Sequence, residues 1–206
     1  MKNSNLQFWK EKLPSKAKTF NCVSQLDEYI GEMIGDKKEV NIADLGAGVI
    51  STTGQTWPGV KVNLYPSDIM KEEFDEFYQD WGIKRLVPME KQDMEHLTYP
   101  NGFFDIVHCS NALDHCHNPR LAILEMVRVC KVGGWVYLRH TPNEGERHNY
   151  TWQHQWNIEM VGDDCKFWNK KDSFMMSSCI TGFKHVREVK RIHYSNSIIS
   201  TLHKTI

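Results

Sequence analysis

The chain has 206 residues, with 25 Lys plus Arg against 26 Asp plus Glu and a formal net charge of −1. That length suits one globular domain able to close a core without metal or disulfide staples, and the charge balance removes any global pull toward nucleic acid or an anionic membrane. Six scattered cysteines without a C-x-x-C pair, no apolar stretch near Met1 long enough for a secretory signal, and no run of the ~18 apolar residues a span needs together predict a soluble cytoplasmic protein with reduced thiols.

Phe20, Val23, Leu26, Ile30, Met33 and Ile34 recur at helical spacing, and Gly35 is placed to stop that helix. Residues 40–45 then form a short apolar run ending in Gly46-Ala47-Gly48, as a buried parallel strand ends in a tight turn. Residues 60–65 alternate up to Pro66-Ser67-Asp68, and Glu72 to Trp81 reads as a helix closed by Gly82. A third strand is expected at 84–89 and a fourth from Phe103 to Cys109, behind the turn Pro100-Asn101-Gly102. Asn118 and Pro119 are a cap and a first helical residue, and the apolar positions from Leu121 to Val129 carry a helix up to Lys131-Val132-Gly133-Gly134. A fifth strand follows from Trp135 to His140.

Such alternation predicts an α/β fold, doubly wound around a mostly parallel sheet, with ligands at the carboxyl ends of the strands. The tail breaks the rhythm. Lys170 to Ile180 reads as a helix, while Val186 to Tyr194 and Ile198 to Ile206 alternate like a closing antiparallel hairpin around Ser195-Asn196-Ser197. The stretch from 143 to 168, rich in His, Asn and Trp, is too long for a simple connection and is expected to be an insertion or lid over the site within one domain spanning 1–206.

Asp44-Leu45-Gly46-Ala47-Gly48 puts a carboxylate at a strand end and two glycines where the backbone must turn and approach a ligand. Asp68 stands about 20 residues further on, where a carboxylate can accept from both hydroxyls of a ribose, or cap the helix that follows. Asp93 and Met94 could meet the amino group and face of an adenine, or form a solvated loop.

Together, Asp44-x-Gly46-x-Gly48, Asp68, Asp93-Met94, the Phe103 to Val107 strand and the Arg128-Val129-x-Lys131-x-Gly133-Gly134 turn resemble the class I S-adenosylmethionine-dependent methyltransferases, over residues 20–140. The resemblance implies a Rossmann-like seven-stranded sheet whose last hairpin is antiparallel, with S-adenosylmethionine as cofactor. It sets Gly46 and Gly48 against the methionine moiety, Asp44 near its amino group, Asp68 on the ribose, Asp93 and Met94 around adenine, and Ser110 and Asn111 beside the reaction centre. One departure is Val49-Ile50-Ser51 where the family often has a further glycine.

A sulfonium already carries a neutral leaving group, so methyl transfer needs placement and exclusion of water more than an acid. An alcohol acceptor gains from a base, for which His is suited. His115, in Asp114-His115-Cys116-His117-Asn118-Pro119 just after the fourth strand, is the leading base candidate, with a packing or loop histidine as the alternative. His140 and Glu144, beyond the fifth strand, come second, although Glu144 also suits a solvated loop. Asn143, His154 and Trp156 are expected to shape the acceptor pocket. The segment His154-Gln155-Trp156-Asn157 is similar to one in bacterial methyltransferase-like proteins, though the likeness names no acceptor. Trp152, Trp156 and Trp168 could equally cover a sheet edge.

No metal is expected from His108, Cys109, His115, Cys116 and His117, because they lack the separated ligand pairs of a structural zinc site. Lys184, Arg187, Lys190 and Arg191 on alternating strand positions read as edge protection rather than nucleic-acid contact. The expected function is methyl transfer to the oxygen or nitrogen of a small molecule, such as a sugar or nucleotide-linked metabolite. The rivals are a nicotinamide-dependent oxidoreductase and a noncatalytic adenosine-ligand binder.

Overall fold

Val40 and Ile42 project from one face of the strand Glu39–Leu45 (β1), Ala43 and Leu45 from the other, and all four are buried. A strand apolar on both faces belongs in the middle of a sheet covered on both sides. In the computed structural model β1 pairs in parallel with Lys61–Asp68 (β2) and with Phe104–Ser110 (β4). Beyond β2 lies the two-residue strand Glu90–Lys91 (β3), and beyond β4 lies Cys130–His140 (β5), both again parallel. The structure describes residues 22–82, 84–151, 153–181 and 197–206, the backbone of 183–186, and Leu6 and Lys10.

Four helices are described: Glu28–Ile34 (α1), Lys71–Asp80 (α2), Pro119–Val129 (α3) and the short Glu144–Arg147 (α4). Ile30 and Ile34 of α1 pack on Val40, Ile42, Ile106 and Tyr137 on one face of the sheet. On the other face Ala122, Ile123, Met126 and Val129 of α3 meet Leu45, Val107, Cys109 and Leu138. α3 starts as its sequence dictates, with Pro119 in the first turn and the Asn118 side chain accepting from the Arg120 N–H at 3.2 Å.

After β5 the chain leaves the main sheet and builds a second, antiparallel one from Asn157–Val161 (β6), Asp164–Trp168 (β7) and Ser173–Met175 (β8). Its Ile158, Phe167 and Phe174 join the core on the α3 side. The chain then returns as Phe183–Val186 (β9) and Ile198–Lys204 (β10), with β10 inserted antiparallel between β5 and β9. The order across the main sheet is β3-β2-β1-β4-β5-β10-β9. It reverses direction between β1 and β4, and that is where doubly wound sheets open a crevice beyond their carboxyl ends. No helix among the described residues is long and apolar enough to cross a membrane.

Several elements differ from the sequence reading. α1 begins only at Glu28, capped by the Asp27 side chain accepting from the Tyr29 N–H, and Val23 is exposed outside it; Phe20 lies outside the described residues. Residues 84–89 form no strand, and the third strand is the pair at 90–91. Arg85 explains the shift: its guanidinium sits 3.9 Å over the Tyr78 ring, donates to the Val49 carbonyl and pairs with Asp75, which ties this stretch to α2 rather than to the sheet.

The helix expected over 170–180 is instead β8 and a 3-10 turn, Met176–Cys179. Phe174 stacks on Phe167 and meets Trp156 edge-on, so the segment is recruited by strand pairing. β5 counts from Cys130 because residues 131–134 form a bulge between the pairs Phe104–Cys130 and Ile106–Trp135. Of the closing hairpin, β9 ends at Val186, and the rest of the expected strand up to Tyr194, with Arg187, Lys190 and Arg191, lies outside the described residues, as do the Lys184 side chain and Trp152.

Candidate active site

Three strand ends meet at the reversal point, and each contributes acidic or amide side chains. At the end of β1, Asp44 is buried, with Oδ1 2.7 Å from His108 Nδ1 and Oδ2 accepting from Ser51 Oγ at 2.5 Å. Burial alone would raise its pKa, but His108 and the hydrogen bonds of Ser51 and Thr53 outweigh that and hold the carboxyl below the usual range. Ser51, in the stretch that replaces the family's extra glycine, therefore anchors the loop. Val49 anchors it too, fully buried against Phe74 and Phe77.

At the end of β2, Asp68 accepts from the Gly48 N–H through Oδ2 at 3.0 Å and from the Met70 N–H through Oδ1 at 2.9 Å. It thus binds the glycine turn to the start of α2, and each oxygen keeps lone pairs for a ligand. Burial raises its pKa, against the pull of those two backbone donors. Gly46 and Gly48 both hold φ of +65°, and a Cβ on Gly46 would stand 2.4 Å from the Ala112 Cβ. Asp93 turns its own loop by accepting from the Glu95 N–H at 2.9 Å, and Met94 brings its sulfur within 3.9 Å of Cys109 Sγ.

At the end of β4, Asn111 takes a left-handed conformation and its side chain accepts from the Thr141 N–H at 2.7 Å, which locks the ends of β4 and β5 together. The 3-10 turn Leu113–His115 follows. His115 is half-buried there, with Nε2 3.5 Å from Asp114 Oδ2 and no hydrogen-bond partner for that nitrogen. Burial lowers its pKa, only partly opposed by Asp114, so the ring is neutral near pH 7.

One cavity of about 440 Å³ is bordered by Asp44, Gly46, Gly48, Asp68, Asp93, Met94, Ser110, Asn111 and His115 together. A second concavity beside Arg85 and Tyr78, of about 30 Å³, holds no more than a water. His140, Asn143, Glu144, His154 and Trp156 do not border the large cavity. His140 is buried in β5 with neither ring nitrogen hydrogen-bonded, and burial drives its pKa down to about 4. Trp156 is a wall of the core, donating from Nε1 to the Cys116 carbonyl at 3.1 Å. Asn143 is left-handed at the entry to α4.

His154 lies just behind His115, with ring centroids 4.8 Å apart, and Nδ1 sits 2.6 Å from Asp114 Oδ2. Asp114 thus leans on a histidine 40 residues away more closely than on its neighbour, a pairing no local signal carries. The Asp114 carbonyl also accepts from the Gln155 and Trp156 N–H groups, so the segment leading into β6 is clamped to the turn after β4. Gln153, at the cavity wall, and His108, the partner of Asp44, are further site residues that the sequence reading missed. The buried apolar strand around His108 was the one available signal, since an isolated polar residue there needs a polar partner.

Residues 43–138 match the family described as a methyltransferase domain. Over that span the chain is similar to the class I S-adenosylmethionine-dependent methyltransferases, and the strand order and the crevice agree with that likeness. Among curated relatives it is similar to the ubiquinone/menaquinone biosynthesis C-methyltransferase UbiE of Coxiella burnetii, at 30% identity over 113 residues, which are 55% of this chain and 37% of that one. The chain therefore spans well under half the length of that relative. Two solved structures share the architecture. One is a SAM-dependent methyltransferase from Aquifex aeolicus, at 17% identity and TM-score 0.53 over 91% of this chain and 97% of that one. The other is an S-adenosylmethionine-dependent methyltransferase from Clostridium acetobutylicum, at 12% identity and TM-score 0.54 over 98% of both chains.

Proposed function

We propose that the crevice binds S-adenosylmethionine and that the chain transfers its methyl group to an oxygen or nitrogen of a small-molecule acceptor such as a sugar or nucleotide-linked metabolite. The observation that carries this reading is the cavity itself, where acidic groups from the ends of β1 and β2 and the loop after β3 surround a turn that admits nothing larger than glycine at Gly46. The residues fit the cofactor. Asp68 is the partly buried acceptor for ribose hydroxyls, Met94 and Asp93 offer an apolar face and a carboxylate to the adenine, and Asp44 lies toward the methionine end. When bound, the sulfonium supplies an activated methyl with a neutral thioether as leaving group.

The chain's own work is placement, exclusion of water and removal of one proton. His115 stands at the cavity wall, and there its ring takes the proton that the acceptor loses as it gains the methyl. The segment from α4 to β8, clamped at Asp114, reaches the crevice through Gln153. An antiparallel β10 beside β5 favours this reading over a nicotinamide-dependent oxidoreductase, whose doubly wound sheet runs through six parallel strands.

Incubation with methyl-labelled S-adenosylmethionine and a panel of hydroxylated and aminated metabolites tests the reading, with labelled product and S-adenosylhomocysteine in equal amounts as the expected outcome. In the same assay His115→Ala is expected to lower turnover at least about tenfold while cofactor affinity stays within about twofold, the signature of a proton acceptor and not of a binding group. Equal turnover in variant and parent would remove His115 from that role.

A further inference from the structure

Beside His115, outside the lining of the large cavity, three more ligand-type side chains converge from two segments. Glu144 and His148 are four residues apart across α4 and its C-cap, which puts both on one face of that turn, with Glu144 Oε2 3.4 Å from His148 Nε2. His154 comes from the segment leading into β6, and its ring lies 4.3 Å from that of His148, centroid to centroid. One ligand atom from each of the three can be chosen such that all lie within 4.8 Å of one another. The remaining oxygen of Glu144, Oε1, is taken by Arg147 Nη1 at 3.2 Å, which leaves Oε2 on the side of His148.

We propose that Glu144, His148 and His154 form a binding site for one first-row divalent cation, with Asp114 as the carboxylate that orients His154. Two imidazoles and a carboxylate are a donor set for zinc, iron, cobalt or manganese rather than for calcium or magnesium, which take oxygen. Asp114 supplies what such sites carry behind their ligands. It is buried, it fixes Nδ1 of His154 by a 2.6 Å hydrogen bond, and the ring therefore presents Nε2 as the nitrogen available to an ion.

Asp114, His115 and His154 also lie within 4.8 Å of one another, but that grouping is the poorer cradle. Ligand atoms on one ion at about 2.1 Å stand about 3 Å apart or more, so a 2.6 Å contact between Asp114 and His154 is a hydrogen bond with no room for a shared ion. The three proposed ligands are only partly covered, with side chains 19%, 39% and 17% exposed for Glu144, His148 and His154. That leaves an entry path and open coordination positions.

The use of the site rests on the methyl-transfer reading, although the site itself does not. His115 borders the cavity and touches His154, so an ion held there lies next to the acceptor end of the crevice. An acceptor with two neighbouring oxygens, a vicinal diol or a hydroxy acid, that extends out of the cavity past His115 would complete the coordination and be presented by it, with the proton of the methylated hydroxyl made easier to remove.

The test uses the full chain, stripped of metal by a chelator that is then removed, and titrated separately with zinc, cobalt and manganese ions by calorimetry. The expected result is one ion per chain for at least one of them, with His148→Ala and Glu144→Gln each weakening it about a hundredfold and Asp114→Asn weakening it about tenfold. If Asp114→Asn fails to fold, the half-exposed His148→Ala carries the test alone. S-adenosylhomocysteine affinity should be the same in His148→Ala as in the parent, which keeps failure of the cation site separate from failure of the cofactor reading. Absence of saturable binding of all three ions, or binding by His148→Ala and Glu144→Gln equal to the parent, overturns the proposal.

Discussion

Gly46→Ala is expected to cost about 3 kcal/mol of stability and to weaken S-adenosylhomocysteine binding at least about a hundredfold. Two costs add. A φ of +65° forces an alanine into the left-handed region, at about 1–2 kcal/mol. The new Cβ would also stand 2.4 Å from the Ala112 Cβ and 3.4 Å from Met94 Cε. The Ala112 Cβ is fixed to its backbone, so the turn after β4 must move away from the turn after β1, and overpacking of this kind costs about 1–3 kcal/mol. The displaced groups are walls of the large cavity in which the cofactor is proposed to bind, hence the expected loss of affinity. Gly59→Ala is the control. Gly59 holds a φ of +70° with nothing within 4 Å of its would-be Cβ, so only the conformational cost of about 1 kcal/mol should appear, with affinity unchanged. Denaturant unfolding and calorimetry read both variants; a Gly46→Ala protein that binds within about threefold of the parent would contradict this picture of the turn.

The second large effect is on stability in mild acid. His140 has a folded pKa of about 4 against an ordinary value of 6.5, lowered first by burial and then by His108 and His115, with Asp114 opposing. A depressed histidine pKa means that the unfolded chain takes up a proton that the native state refuses. Stability is therefore lost as pH falls from about 6.5 toward 4, by roughly 3 kcal/mol at most at ~1.4 kcal/mol per unit.

His115, also lowered, adds to that loss, whereas Asp68, raised by burial, acts the other way. Asp44 and Asp114 are held below the ordinary carboxylate value and contribute their loss only in stronger acid, below about 3.8. His140→Leu isolates the contribution of His140. Neither nitrogen of His140 has a hydrogen-bond partner, so an apolar replacement breaks no pair there. Urea unfolding at pH 7 and pH 4.5 should show a smaller loss of stability in the variant than in the parent. Parallel losses in both would show that His140 is not the buried neutral group described.

The parts legible in the sequence are those whose chemistry is local. Asp44 with its two glycines, Asp68 after the second strand, and Asn118-Pro119 at a helix start each announce a backbone need within a few residues, and the structure meets those needs in place. The strand around Ile42 was readable because burial on both faces leaves an unbroken apolar run. The misread segments failed where a distant partner decides. Residues 84–89 carry apolar positions enough for a strand, yet Arg85 commits them to Tyr78, Val49 and Asp75. Residues 170–180 lack a strong period, and their fate rests on Phe174 meeting Phe167 across a sheet built entirely from the chain beyond β5. The same holds for the site: Asp114 with His154, and Asp44 with His108, are pairs 40 and 64 residues apart, formed by the topology rather than by a motif.

Methyl transfer by this chain requires that the crevice beyond β1, β2 and β4 be the seat of an adenosyl ligand. Titration of the purified chain with S-adenosylhomocysteine, beside Asp68→Ala, tests that most directly. One ligand per chain is expected, with the variant weaker by about 2 kcal/mol, or roughly thirtyfold, because charge-assisted hydrogen bonds to the ribose are lost. No heat and no thermal stabilisation at millimolar ligand, or equal affinity in Asp68→Ala and the parent, would contradict it.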